Sequence, residues 1–139
     1  MTVRGNRLNL MGVYAPSPPP SFNPLRWPTS LQVSDQSGQL FCASVPAQRW
    51  RPRYRSTLSF RDPAGASAGG LSAGSFAVMR GGSVTFRARG ARARIAATDG
   101  RRVQVTVGVG GQCSRTTTEL FPVRRGFVFP MPTHRVLSR

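Results

Sequence analysis

The clearest pattern in this chain is an alternation of cationic and apolar residues in the segment RWRPRYRSTLSFRD, positions 49–62. Odd positions carry mainly arginine, while even positions carry mostly apolar side chains, including Trp50, Tyr54 and Phe60. A period of two is the side-chain period of a β-strand. The pattern therefore predicts one strand with a cationic face and an apolar face. Trp50 and Tyr54 on the apolar face are better explained as core anchors than as platforms for base stacking.

Short alternating runs separated by turn residues continue along the rest of the chain. The valines at odd positions from 103 to 109 share one face of a predicted strand, which follows the hairpin-forming dipeptide Asp99-Gly100. RARIAAT (92–98) is another predicted strand, and AGASAGGLSAG (64–74) is expected to be a flexible connection. We therefore expect an all-β fold, a single β-sandwich or barrel of jelly-roll or immunoglobulin-like type, with about eight short antiparallel strands.

The first 29 residues differ in composition from the remainder, because they contain six prolines and no acid. Proline removes a backbone donor and disfavours helix in the preceding residue. We expect residues 1–29 to form an extended basic arm that contacts neighbouring subunits. The β-domain is expected over 30–131, and 132–139 form a basic tail. An arginine-bearing, acid-free N-terminus also has the composition of a mitochondrial transit peptide, which is an alternative interpretation.

The net charge of the chain indicates which kind of molecule it binds. Its net charge is +16, from 20 arginines against four acids, and it contains no lysine. GC-rich coding DNA would explain arginine in place of lysine, but it would not explain the scarcity of Asp and Glu. A strongly cationic surface favours a polyanionic partner, above all nucleic acid.

Arginine on strand faces is the predicted binding chemistry. A guanidinium group is planar, permanently charged and able to bind phosphate through two hydrogen bonds. Phosphate contacts do not read bases, so binding is expected to be independent of sequence and sensitive to salt. The alternation changes phase after Gly90, which predicts a bulge or turn before the next arginines. The candidate nucleic-acid-binding residues are Arg49, Arg51, Arg53, Arg55, Arg87, Arg89, Arg92, Arg94, Arg101 and Arg102.

Catalysis, cofactors and metals are not predicted for this chain. Asp35, Asp62 and Asp99 each lie in a predicted turn, where aspartate hydrogen-bonds the local backbone. Glu119 is then left without a second carboxylate for acid–base chemistry. The single histidine, His134, lies in the C-terminal tail, and no phosphate-binding glycine loop or metal motif is present.

The two cysteines add a resemblance. Cys42, Trp50 and Cys113 follow one another in an order similar to that of immunoglobulin domains, which implies a sandwich with a Cys42–Cys113 bridge and a protein-binding role. The chain departs from that family at Gly111, where a tyrosine is expected, and in the short gap between Cys42 and Trp50. The favoured alternative is a pair of buried free thiols.

These observations lead to one main functional hypothesis and three alternatives. The main hypothesis is a non-catalytic structural component of a nucleoprotein particle, with a virion or capsid as the favoured setting. The alternatives are an organellar ribosomal-type RNA-binding protein in mitochondria, an immunoglobulin-like protein-binding or decoration module, and the product of an overlapping reading frame with little stable fold. No apolar run reaches the roughly 20 residues of a membrane-spanning helix.

Overall fold

The computed structural model describes residues 2–4, 7–14, 22–54, 56–80, 82–96, 102–119, 121–123 and 126–128. Its strands are β1 (Thr2–Arg4), β2 (Arg7–Tyr14), β3 (Thr29–Asp35), β4 (Gly38–Val45), β5 (Arg51–Arg53), β6 (Thr57–Arg61), β7 (Leu71–Val78), β8 (Val84–Gly90), β9 (Arg102–Val109), β10 (Gln112–Glu119), β11 (Phe121–Val123) and β12 (Gly126–Val128). They form an eight-stranded antiparallel sheet in the order β11-β12-β1-β2-β8-β7-β6-β5 and a four-stranded sheet in the order β10-β9-β3-β4. The expected all-β fold is confirmed, and the two sheets are consistent with a β-sandwich.

One hydrophobic core collects the inward side chains of both sheets. The predicted valine alternation in β9 is confirmed, since the valines from 103 to 109 are all buried. From the other sheet, Trp50 is packed between Phe60, at 5.3 Å between ring centroids, and Phe76, at 5.0 Å. Aromatic side chains of this size contribute large buried apolar areas, so this cluster is a principal source of stability.

The expectation of an arm over residues 1–29 is wrong for Arg7–Tyr14. This segment is strand β2, which pairs with β8 inside the eight-stranded sheet, and its Leu8 and Leu10 are buried in the core. The physical reason is the alternation of these leucines with polar residues, a period-two pattern too short to stand out beside the prolines. The proline-rich residues 15–21 lie outside the described residues. Phe22 then packs edge-on against Phe76, with ring centroids 5.0 Å apart.

The single strand predicted over 49–62 is also wrong. Ala47–Arg49 forms a turn of 3-10 helix, and β5 is only three residues long. The chain then folds back into β6, with Tyr54 and Ser56 both in turn conformation. Ser56 adopts a positive φ of 56°, which ends the extended conformation. Pro52 lies in β5, the last strand of the sheet, where a residue without an N–H is tolerated.

The strand predicted over 92–98 is replaced, in its described part, by an irregular connection between the two sheets. It is anchored by two hydrogen bonds, from Arg92 N–H to the Gly70 carbonyl (3.3 Å) and from Ala96 N–H to the Leu40 carbonyl (2.9 Å). Residues 97–101, with the predicted Asp99-Gly100 turn, lie outside the described residues.

The glycine-rich connection after β6 is compact, in contrast to the expected flexible loop. Ala68 is fully buried. Gly70 has a φ of +91°, and a Cβ at this position would collide with the Arg92 carbonyl. Only glycine satisfies both constraints, so the small residues here serve close packing of the loop against the connection between the sheets.

Candidate nucleic-acid interface

The outer face of the eight-stranded sheet is cationic. Residues that pair across antiparallel strands point to the same side of a sheet, so the register identifies the members of this face. Arg89 pairs with Ala73 of β7, and Ala73 pairs with Arg61 of β6. Two residues further along these strands, Arg87 pairs with Ser75. This row continues through Ser59 of β6 to Arg51 of β5. The described arginines on this face are Arg7, Arg51, Arg53, Arg61, Arg87 and Arg89.

Four of these arginines surround a floor of small side chains on β7. Arg61 and Arg89 flank Ala73 from the two neighbouring strands, whose backbones are about 10 Å apart. Arg53 Nε donates to Ser59 Oγ at 3.2 Å, and Ser59 is the register partner of Ser75. This hydrogen bond brings the Arg53 guanidinium to one side of Ser75, with Arg87 on the other.

We call this feature the arginine trough, formed by Arg53, Arg61, Arg87 and Arg89 around Ala73 and Ser75. It is an open depression of about 350 Å³. A second depression of about 470 Å³ adjoins it and contains Arg7 and Asn9 of β2. Arg89 borders both depressions, so the positively charged surface continues from β6 across β7 and β8 to β2.

Two of the described acids accept hydrogen bonds within local turns. The Asp62 carboxylate accepts hydrogen bonds from the Ser67 hydroxyl (2.6 Å) and the Ser67 N–H (2.7 Å). These bonds, with a smaller contribution from the charge of Arg49, lower the pKa of Asp62 below its ordinary value of 3.8. Asp35 similarly accepts from the Ser37 N–H (2.7 Å) in the β3–β4 turn. Both aspartates thus occupy turns as predicted.

The described strand positions of the cationic face contain no Asp or Glu. Glu119 belongs to β10 of the other sheet, and Asp99 lies outside the described residues. The positive charge of this face is therefore not compensated by acids of the same face.

The predicted binding residues are only partly brought together. Arg53, Arg87 and Arg89 are in the trough. Arg51 is on the same face, but its guanidinium donates to the carbonyls of Gln48 (2.6 Å) and Trp50 (3.1 Å) at the edge of the sheet. The remaining residues are separated from the trough by the fold or lie outside the described residues.

Arg49 ends the 3-10 turn, and Arg92 and Arg94 lie on the connection between the sheets, not on a strand as expected. Arg102 belongs to the four-stranded sheet. Arg55 and Arg101 lie outside the described residues.

Two members of the cationic face were missed by the sequence prediction. Arg61 stands at an odd position of the alternating segment, and Arg7 precedes Leu8 in the short alternation of β2. The same parity signal that selected Arg51 and Arg53 was therefore available for both. The fold-back at Tyr54 does not disturb this parity, because the hairpin register pairs odd positions with odd positions.

Tyr54 is not a core anchor. Its side chain is 79% exposed, whereas Trp50 is 1% exposed as predicted. The period-two argument fails at Tyr54 because this residue lies in the turn after β5, where side chains no longer alternate across a pleat.

The outer face of the four-stranded sheet is mostly polar and carries two arginines, Arg102 and Arg115, at its described positions. It includes both cysteines, which are exposed free thiols and not buried as expected. Cys42 lies on β4 and Cys113 on β10, at opposite edges of the sheet, so the strands that carry them are about 14 Å apart. A disulfide requires Cα atoms within about 7 Å, which excludes the intrachain bridge implied by the immunoglobulin resemblance.

Neither a metal site or membrane-spanning helix in the described residues nor a similarity to another protein points to a function. Over the described ranges, no three side chains of His, Cys, Asp or Glu are grouped as a metal ion would need, and no helix is long and apolar enough to cross a bilayer. No protein-family model matches this chain, and comparisons with curated proteins and with solved structures found no match.

Proposed function

We propose that the protein is a non-catalytic structural component of a nucleoprotein particle, of the virion or capsid type, and that it binds phosphate backbone through the arginine trough. The observation that carries this proposal is the convergence of Arg53, Arg61, Arg87 and Arg89 around a floor of Ala73 and Ser75. Small floor residues leave room for a phosphate between the two rows of guanidinium groups.

The chemistry of the trough favours binding without sequence specificity. Guanidinium groups bind phosphate oxygens bidentately, and each phosphate neutralised releases condensed counterions, which makes affinity fall with salt. Besides arginine, the depression is lined by serine, alanine, glycine and one buried phenylalanine. Asn and Gln, which read adenine through pairs of hydrogen bonds, and Glu, which accepts from cytosine, are not among these lining residues.

A place in a larger assembly is supported by the edge strand β10. This strand has eight residues, contains no proline, and pairs along its whole length with β9 on one side only in the described sheet. By contrast, β5 carries Pro52, and β4 receives the Ala96 N–H hydrogen bond on Leu40. An edge with unpaired backbone groups is a template for pairing with another chain, so we assign contacts with neighbouring subunits to β10.

The test compares two double variants that lose the same charge from different faces. Arg87→Gln/Arg89→Gln removes two arginines from the cationic face, and Arg102→Gln/Arg115→Gln removes two from the outer face of the other sheet. Binding to fluorescent RNA and DNA strands of several sequences is measured by anisotropy over increasing salt. For the wild type we expect binding to all sequences and a steep loss of affinity with salt.

Only Arg87→Gln/Arg89→Gln is expected to change the salt dependence of the affinity for nucleic acid. Two lost phosphate contacts reduce the slope of log affinity against log salt by about 1.4 for single strands. The proposal fails if the wild type binds no nucleic acid at low salt. Equal loss of affinity in both variants would contradict the assignment to the trough, because net charge alone would then explain binding.

A further inference from the structure

An exposed apolar surface lies at one end of the cationic face. Four of the large hydrophobic side chains exposed in the described residues belong to it, between 40% and 79% exposed. We call it the apolar end, formed by Met11, Val13, Tyr54 and Met79. Met11 and Val13 face outward on β2, where Met11 is the register partner of Arg87.

The other two residues belong to two adjoining turns. Tyr54 belongs to the β5–β6 turn, and Met79 begins the β7–β8 turn. The two turns are joined by a hydrogen bond from the Val78 N–H to the Ser56 carbonyl (3.2 Å). The turns that carry the exposed Tyr54 and the exposed Met79 therefore adjoin each other where β7 leaves the trough.

The surface along β7 changes from charged to apolar in regular steps. Arg61 and Arg89 flank Ala73, and Arg53 and Arg87 flank Ser75, about 6.6 Å further along the strand. In the next row Thr57 and Thr85 flank Ala77, and Arg53, the register partner of Thr57, directs its guanidinium to Ser59 of the preceding row. The apolar end follows directly. A ligand lying along β7 would thus meet two cationic steps and then an apolar surface.

We propose that the ligand of this face is single-stranded nucleic acid, with successive phosphates in the arginine trough and an unstacked base on Tyr54 at the apolar end. This inference rests on the function proposed above and specifies its substrate class. Single strands expose the faces of their bases, which stack on aromatic side chains beside a cationic groove. A paired duplex hides those faces and presents its backbone and the edges of its bases.

The dimensions of the trough also favour a single strand. The strands that carry Arg61 and Arg89 are about 10 Å apart, which is narrower than the major groove of B-form DNA alone, at about 12 Å, and Arg53 reaches towards Ser59 from β5. A duplex would therefore contact the rim of the trough, whereas one backbone fits between the rows. Anionic membrane is disfavoured because the arginines surround a recess, whereas lipid headgroups form a continuous plane.

The experiment separates base stacking from phosphate binding. Affinity is measured for three nucleic acids of equal length: a single strand, an abasic single strand and a duplex. The proteins compared are the wild type, Tyr54→Ala, Tyr54→Phe and Arg87→Gln/Arg89→Gln. We expect the wild type to bind the single strand at least fivefold more tightly than the abasic strand, as expected for one stacked base. Tyr54→Ala should lose that preference without changing the salt slope, and Tyr54→Phe should retain it.

The trough variant serves as the reference for the phosphate part. It should weaken binding to the base-bearing and the abasic strands alike, because both carry the same phosphates. Tyr54 is largely exposed, so its substitution is expected to leave the fold intact, which thermal unfolding of each variant verifies.

The outcomes distinguish this inference from the function on which it rests. Absence of binding to every nucleic acid would overturn both. Binding of equal strength to single, abasic and duplex strands, unchanged by Tyr54→Ala, would overturn only the single-strand inference. Tight binding to phosphatidylserine vesicles that depends on Tyr54 and Met79, without binding to single strands, would replace both with a membrane-surface role.

Discussion

The two outer faces of the sandwich are both surfaces of antiparallel sheets, but they differ in charge. Among the described residues, the face of the eight-stranded sheet has six arginines and no acid, and the face of the four-stranded sheet has Arg102 and Arg115 among serine, threonine, glutamine and cysteine. The register also places Glu119 opposite Arg102. A bias in coding composition would act on both faces equally. The unequal distribution is therefore not explained by the number of arginines alone, and it is the distribution that the proposed phosphate binding requires.

The largest effect is expected from removing the core beneath the cationic face. Trp50→Ala should lower the free energy of unfolding by about 3–5 kcal/mol, because a buried indole between two phenylalanines is lost. Tyr54→Ala, four residues away on the surface, should change it by less than about 0.5 kcal/mol. Chemical denaturation followed by far-UV circular dichroism measures both. Equal losses would show that Tyr54 packs in the core after all.

An intermediate effect is expected when charge is moved from one face to the other. Arg87→Gln/Arg89→Gln combined with Gln32→Arg and Ser44→Arg keeps the net charge at +16 and places two arginines at exposed positions of β3 and β4. Affinity for a single strand should remain on the order of 25-fold below the wild type at about 0.1 M salt, since two phosphate contacts in the trough are missing. Full recovery of affinity would show that the faces are equivalent.

The smallest effect concerns the acid at the margin of the cationic face. The hydrogen bonds from Ser67 lower the pKa of Asp62, so the ionised carboxylate stabilises the fold at pH values above its ordinary pKa of 3.8. That stabilisation is lost as the pH falls through the lowered pKa of the folded state. Asp62→Asn and Ser67→Ala should each be slightly less stable than the wild type at neutral pH.

Denaturation midpoints measured from about pH 7 down to about pH 3 test this sign. The differences between the variants and the wild type should shrink in acid, where the carboxylate of the wild type becomes protonated. A difference that grows as the pH falls would contradict the assigned direction of the pKa shift.

Several features of the fold and of the site follow from local sequence patterns. The outward direction of Arg87 and Arg89, the inward direction of the β9 valines, and the turn positions of Asp35 and Asp62 all depend on neighbours close in the chain. The same is true of Cys42, which stands between the buried Phe41 and Ala43 and whose exposure was therefore readable from parity. Local patterns failed where the chain left the pleat, at Tyr54 and beyond Gly90.

The sequence alone determined that this chain alternates, that its arginines lie opposite an apolar side, and that few acids balance them, because the pleat of a strand is a local property. The placement of β6 and β8 on either side of β7 brings Arg61 and Arg89 to the two flanks of Ala73, and it follows from tertiary contacts and not from any local pattern. Strand order depends on contacts between residues far apart in the chain, and on how the two sheets bury their inner faces together. For this reason the arginines were predicted along single strands, whereas the fold collects arginines from several strands around one trough.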